Sequence, residues 1–210
     1  MGSLAHFVPP RRRPAPRGLG QVLHAAPAHA SWAPTPVSRD TLEQLHALMS
    51  MGPSMVDASP TRVLFLTSEK AKDRLAPHLG AAVRGEILAA PACALIGYDL
   101  DFAEQLVEFL PHVSGAPSCF ERPEIVRQTA ERNGTLQGAY LIVAARAVGL
   151  EAAAVEDFHA DGVSVEFFRG ARVRAIFLCA LGYPAAASPS PRRRRPAAEK
   201  VITAPTSDAG

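Results

Sequence analysis

The chain has 210 residues, 48% of them hydrophobic, with 22 Lys and Arg against 20 Asp and Glu and a formal net charge of +2. That size suits one domain around one respectable core, and the three cysteines, Cys93, Cys119 and Cys179, are odd in number and share no metal spacing, which argues for reduced packing residues in a cytoplasmic protein. No apolar run approaches a membrane span, no continuous hydrophobic signal core opens the chain, and the basic residues sit in two end clusters instead of spreading over a folded face, which speaks against nucleic-acid binding.

Residues 1–38 contain no Asp or Glu, carry Arg11, Arg12, Arg13 and Arg17, and are rich in Pro and Ala; residues 184–210 repeat the pattern in "PAAASPSPRRRRPAA". Such stretches bury too little apolar surface to offset chain entropy, so the folded part is expected at about 32–183. An acid-free, Arg-rich leader also suits an organelle transit peptide. Ser38 is placed to cap a helix whose Leu42, Leu45, Leu48 and Met49 share a face, with Val37 and Leu42 as a hydrophobic staple. Gly52-Pro53 stops that helix, and a polar loop, "GPSMVDASP", leads into the buried-strand pattern Val63-Leu64-Phe65-Leu66.

Ser68 then caps "EKAKDRLAPHL", which Pro77 ends or kinks. "PACALIGY" reads as a buried strand and "DFAEQLVEFL" as a short amphipathic helix. The longest element is predicted from Pro123 to Val148, with proline in its first turn, Gly149 at its C-terminal cap, and a length of about 39 Å at about 1.5 Å per residue. Ala130, Gly134, Gly138, Ala139, Ala144 and Ala145 stud this helix. Small residues permit close backbone approach, which serves a helix buried in its own subunit and a dimer-interface helix equally well; under the interface reading, Gly138→Leu is expected to disturb association. "RVRAIFLCALGY" closes the folded part as a strand. Strands separated by helices indicate an α+β or α/β layered domain.

No phosphate-binding glycine fingerprint, no Gly-x-Ser-x-Gly elbow and no His/Glu metal pattern is present, and the seven histidines are scattered. The separated stretches "TPVSRDTLEQLHALMSMGPSMVDASPTRVLFL", "APACALIGYD", "ERNGTLQGAYLIVAARAVGL" and "FLCALGYP", in that order, resemble the nitroreductase-like flavoproteins, most closely their malonic semialdehyde reductase branch. The resemblance runs over about 19–201. It implies a layered α+β sandwich with a central sheet flanked by helices, an intertwined homodimer, and FMN at the dimer interface passing hydride from NAD(P)H to a small-molecule acceptor such as an aldehyde. The corresponding division is a leader over 1–18, the domain over 19–183 and a Pro/Arg-rich extension over 184–210.

Carried over residue by residue, the resemblance assigns Pro53, Ser54, Asp57 and Ser59 to the flavin and His29, Arg192 and Arg194 to its phosphate. The chain departs from the family pattern in three places. In the loop Met55 replaces a small polar residue and Asp57 an Asn, so a carboxylate that only accepts stands where an amide can donate; Pro27 replaces an expected Arg, and Ala153, Ala154, Val155 and Glu156 replace a Gly-Pro-Met-x-Gly-Phe-like stretch that nears the flavin. These departures leave a second reading open: a member that keeps the dimeric fold, has lost flavin turnover and serves as a binding or scaffold protein. Deleting residues 1–18, which lack an apolar periodic face, should leave the melting temperature unchanged in a thermal scan.

Overall fold

A computed structural model describes residues 31–109 and 120–185 of the chain, together with positions 22, 196, 197 and 201. The capping serines act as their sequence context requires. Ser38 Oγ accepts from Thr41 N at 3.1 Å and opens α1, Arg39–Met49, while Ser68 Oγ accepts from Ala71 N at 3.3 Å and opens α2, Glu69–Leu75. Pro77 closes α2 through a single 3-10 turn, Ala76–His78. The predicted strands appear as β1, Thr61–Leu66, and β2, Ala92–Asp99. Between them lies α3, Ala81–Ala89, a helix without a side-chain cap.

After β2 come α4, Phe102–Phe109, and the long α5, Pro123–Ala147. Gly149 closes α5 at φ 88°, and Leu150 N donates back to Ala145 O at 2.9 Å, a left-handed stop that glycine adopts without steric penalty. Then follow β3, Glu151–Val155, α6, Ala160–Phe167, and β4, Val173–Gly182. The strands form one antiparallel sheet in the order β1-β2-β4-β3. The layered α+β expectation is met.

Every residue of β2 is buried, so the sheet is covered on both faces. On one face Leu45 and Met49 of α1 and Leu141, Ala144 and Ala145 of α5 meet Ala94, Ile96, Phe177 and Cys179. On the other, Leu75, Ile87 and Val163 from α2, α3 and α6 meet Cys93, Leu95, Leu178 and Ala180. Alternation along the strands therefore separates Cys93 from Cys179 onto opposite faces. Burial pushes the Cys93 thiol up to about 12 and raises that of Cys179 as well, so both are packing residues and neither offers a thiolate nucleophile. Among the described residues no helix is long and apolar enough to cross a membrane.

The small residues of α5 serve this core. A Cβ on Gly134 would stand 2.8 Å from Ile176 Cδ1 and 3.0 Å from Tyr98 Cβ, and one on Gly138 would stand 2.6 Å from the Phe177 ring. Ala130, Ala144 and Ala145 are buried beside them, whereas Ala139 faces outward with Leu136 and Val143. Of the two roles the stripe could play, the intrasubunit one is the role of Gly134 and Gly138, and the outward row is a different set of residues. Gly138→Leu should therefore overpack the core and lower stability by about 1–3 kcal/mol or more, read as a shift of the urea midpoint independent of protein concentration.

Candidate functional site

The loop between α1 and β1 is held by one face of α5. Asn133, Gln137 and Tyr140 follow one another at i, i+4 and i+7, so their side chains lie in a row along the helix. Asn133 Oδ1 accepts from Met55 N at 2.8 Å while its Nδ2 donates to Thr129 O at 2.9 Å. Gln137 Oε1 accepts from Thr61 N at 3.2 Å and from Thr61 Oγ1 at 2.6 Å, and Gln137 Nε2 donates to Ser59 Oγ at 3.3 Å. Tyr140 donates its hydroxyl to Pro53 O at 3.0 Å. Asn133 and Gln137 are each 3% exposed, so their amides are committed to the loop instead of to water.

Close approach at the start of the loop requires Gly52, whose Cβ would stand 2.1 Å from the Tyr140 ring. The chain then makes one 3-10 turn, Met55–Asp57. Asp57 and Ser59 both have positive φ, 49° and 40°. Asp and Asn are the non-glycine residues best suited to that conformation, so Asp57 has a backbone reason to be there. At the loop's end Arg62 donates to Ser59 O, Thr61 O, Asp99 Oδ2 and Gln105 Oε1, the Asp99 contact being 2.6 Å long. The backbone is thus fixed from both sides.

What remains outward is a short polar surface. Pro53, Met55, Asp57 and Ser59 are exposed and Ser54 is half-buried. Ser54 Oγ accepts from Ser59 N at 3.4 Å, and Ser59 Oγ accepts from Gln137, so each hydroxyl keeps its own proton for a partner outside the loop. The four loop residues assigned from sequence are therefore together in space. His29, Arg192 and Arg194 lie outside the described residues, as does Pro27. The segments that lead to them are visible: Ser31 to Ala33 pairs with Tyr183 to Ala185, and Trp32 Nε1 donates to Glu86 O at 3.3 Å.

This pairing is at the other end of the sheet. The loop enters β1 opposite Tyr98, whereas Trp32 and Pro91 pack on Gly182 near the start of β2. The stretch at 153–156, expected from sequence as a departure near the flavin, is largely β3, whose Ala153 to Val155 pair with Ala180 to Leu178. Its continuation joins a second strand-like clip in which Gly80 N donates to Asp157 O at 3.0 Å and His159 N to His78 O at 2.8 Å. His78 Nε2 and Arg74 Nε both meet Glu166, at 2.8 and 3.0 Å, and the hydrogen bond from His78 is the main cause holding the Glu166 carboxyl below its ordinary range. No group of three metal-ligating side chains occurs among the described residues.

Sequence reasoning assigned no role to Asn133, Gln137 or Tyr140, because their partners lie more than seventy positions away along the chain. Asn133→Leu keeps the approximate volume and leaves Met55 N–H without its acceptor. The expected cost is about 1–3 kcal/mol, with faster hydrogen exchange at the Met55 amide as the local check.

No family model matches the chain. It is 39% identical over 185 residues to a protein of Polynucleobacter asymbioticus provisionally named NADH dehydrogenase/NAD(P)H nitroreductase, covering 88% of this chain and 94% of the relative. A Ralstonia pickettii protein with the same provisional name, HadB, is 38% identical over 188 residues, 88% of this chain and 96% of its own. Among solved structures, a nitroreductase-fold protein of Bacillus subtilis superposes with a TM-score of 0.81 at 15% identity, covering 90% of this chain and 99% of that one. One from Exiguobacterium sibiricum, solved in complex with FMN, gives 0.70 at 17% identity, over 85% and 92%. Near-complete coverage of the sequence relatives, together with the shared α+β fold, establishes that the chain belongs to the nitroreductase family.

Proposed function

We propose that the protein is a homodimeric, FMN-dependent NAD(P)H oxidoreductase of the cytoplasm that reduces a small aldehyde such as malonic semialdehyde, or another electron-poor acceptor. The observation that carries this reading is the donor set of the 53–60 loop. Ser54 Oγ and Ser59 Oγ each accept a hydrogen bond, from Ser59 N and Gln137 Nε2, which leaves both hydroxyl protons free to be donated to a further acceptor. Met55, 51% exposed, adds an apolar contact beside them. Outward donors next to an apolar side chain fit the polar edge and flat face of a flavin ring, so these residues suit the cofactor that the Exiguobacterium relative carries. Bound FMN supplies hydride transfer between the nicotinamide and the acceptor. The chain's own part is to position the ring and set the charge around it.

The phosphate is assigned to His29, Arg192 and Arg194, because a dianion calls for charge-assisted donors and Arg is shaped for it. The two halves of the site leave the described fold at opposite ends of a sheet whose central strand is about 24 Å long at about 3.4 Å per residue. A second copy that brings its loop to the phosphate end of the first completes one site without a stretched tail. The outward row Leu136, Ala139 and Val143 on α5, with Leu136 41% and Val143 43% exposed, offers such a copy an apolar contact.

An absorbance scan of the purified protein, before and after adding FMN, tests the cofactor. An oxidised-flavin spectrum supports the proposal; a colourless protein that cannot be reconstituted favours the scaffold reading. Asp57→Asn, which keeps the positive φ, should tighten FMN by up to about tenfold by adding a donor where a carboxylate stood, and Pro27→Arg should add about 1.5–3 kcal/mol at the phosphate. Fluorescence titration measures both, and if neither variant binds FMN more tightly than wild type the loop is not a flavin cradle. Leu136→Arg combined with Val143→Arg should yield monomers in sedimentation velocity and lose FMN in the same preparation.

A further inference from the structure

If the loop holds the flavin as proposed, we infer that Gln137 is the positioning residue that makes Ser59 a hydrogen-bond donor to it. The assignment follows from counting donors and acceptors around one buried amide. Thr61 N reaches Gln137 at 3.2 Å and Thr61 Oγ1 at 2.6 Å. A backbone N–H can only donate, so the atom facing it is the amide oxygen, and the orientation of Gln137 is settled by the network. Its NH2 then faces Ser59 Oγ at 3.3 Å. An amide NH2 accepts nothing, so the Ser59 oxygen must accept here and its proton must point elsewhere.

Gln137 is 3% exposed and Ser59 is exposed; "elsewhere" is therefore the outer surface of the loop. Backbone geometry holds the serine to this role. Ser59 has φ 40°, its N–H is taken by Ser54 Oγ at 3.4 Å, and its C=O accepts from Arg62 Nη1 at 3.3 Å. The side-chain hydroxyl carries the one donor of Ser59 left over. A glutamate at 137 would keep both Thr61 donors satisfied, yet its second oxygen would accept from Ser59 O–H and draw the proton inward. Gln137→Glu thus reverses the polarity of the loop with almost no change of shape.

The experiment is a double-mutant cycle on the full chain with FMN as the probe. FMN affinity is read by flavin fluorescence, and the urea midpoint of each flavin-free protein is measured alongside. Ser59→Ala and Gln137→Glu should each weaken FMN by about three- to tenfold, the equivalent of one hydrogen bond, and Gln137→Glu should cost nothing further in the Ser59→Ala background. Gln137→Met leaves the serine proton free to turn either way, so it should weaken FMN less than Gln137→Glu while lowering the urea midpoint, since Thr61 N–H loses its acceptor. A purely structural Gln137 would give the same loss of FMN affinity in both serine backgrounds, and that result overturns the inference. Should Gln137→Glu not fold, the cycle of Gln137→Met with Ser59→Ala reads the same coupling. Wild type that binds FMN with Ser59→Ala equal to it sinks the positioning role alone; wild type that binds no FMN removes the flavin assignment and this role together.

Discussion

The attachment of the 52–61 loop to α5 is the constraint from which the rest of the site follows. Five contacts, from Asn133, Gln137 and Tyr140, satisfy Met55 N, Thr61 N, two hydroxyls and Pro53 O within ten residues of chain. Each is worth about 0.5–1.5 kcal/mol net, which by itself would be unremarked. Their weight lies in the alternative. Asn133 and Gln137 are each 3% exposed with the loop in place, so a substitution that removes one loop partner leaves a buried polar group without its hydrogen bond. The amides and the loop therefore specify each other.

That arrangement imposes a division of labour on α5. One row of the helix must be polar for the loop, and the neighbouring row must be nearly without side chains, because Tyr98, Phe177 and Ile96 press on Gly134 and Gly138. Glycine in a helix interior costs about 1 kcal/mol relative to alanine, and here it is offset by letting a 25-residue helix lie directly on the sheet. A third row, Leu136, Ala139 and Val143, is the apolar part of the exposed surface and is left for solvent or for another copy. The helix is central to its own core and to the proposed dimer at once, through different residues.

Electrostatics at the loop is similarly divided. Asp57 introduces an exposed carboxylate, but its backbone conformation accounts for it, since positive φ favours Asp and Asn over most side chains. The serines on either side accept from the Ser59 amide and from Gln137 and keep their hydroxyl protons available for donation. A negative group among outward donors is compatible with a cofactor that is bound without being bound tightly. The Arg62 to Asp99 pair lies behind the loop and fixes the path into β1.

Several parts of this protein were decided by the sequence alone. Ser38 and Ser68 as caps, Pro77 as a stop, Gly149 as the end of α5, and the apolar runs of β1, β2 and β4 are local signals, since each rests on the conformational limits or burial demand of a few adjacent residues. The family resemblance and the grouping of Pro53, Ser54, Asp57 and Ser59 were equally legible, because order and proximity along the chain carry them. Three elements were not. The α3 helix contains Gly85 and no capping side chain, β3 is "EAAAV", whose alanines have little strand preference, and α6 mixes valines with a histidine start. Their conformations come from tertiary partners: β3 exists because β4 offers it a ladder, and Val163 of α6 because the second face of the sheet needs cover. The same holds for the site. Asn133 and Gln137 are ordinary helical residues until a loop more than seventy positions away folds onto them, and contacts at that separation leave no periodic trace in the sequence.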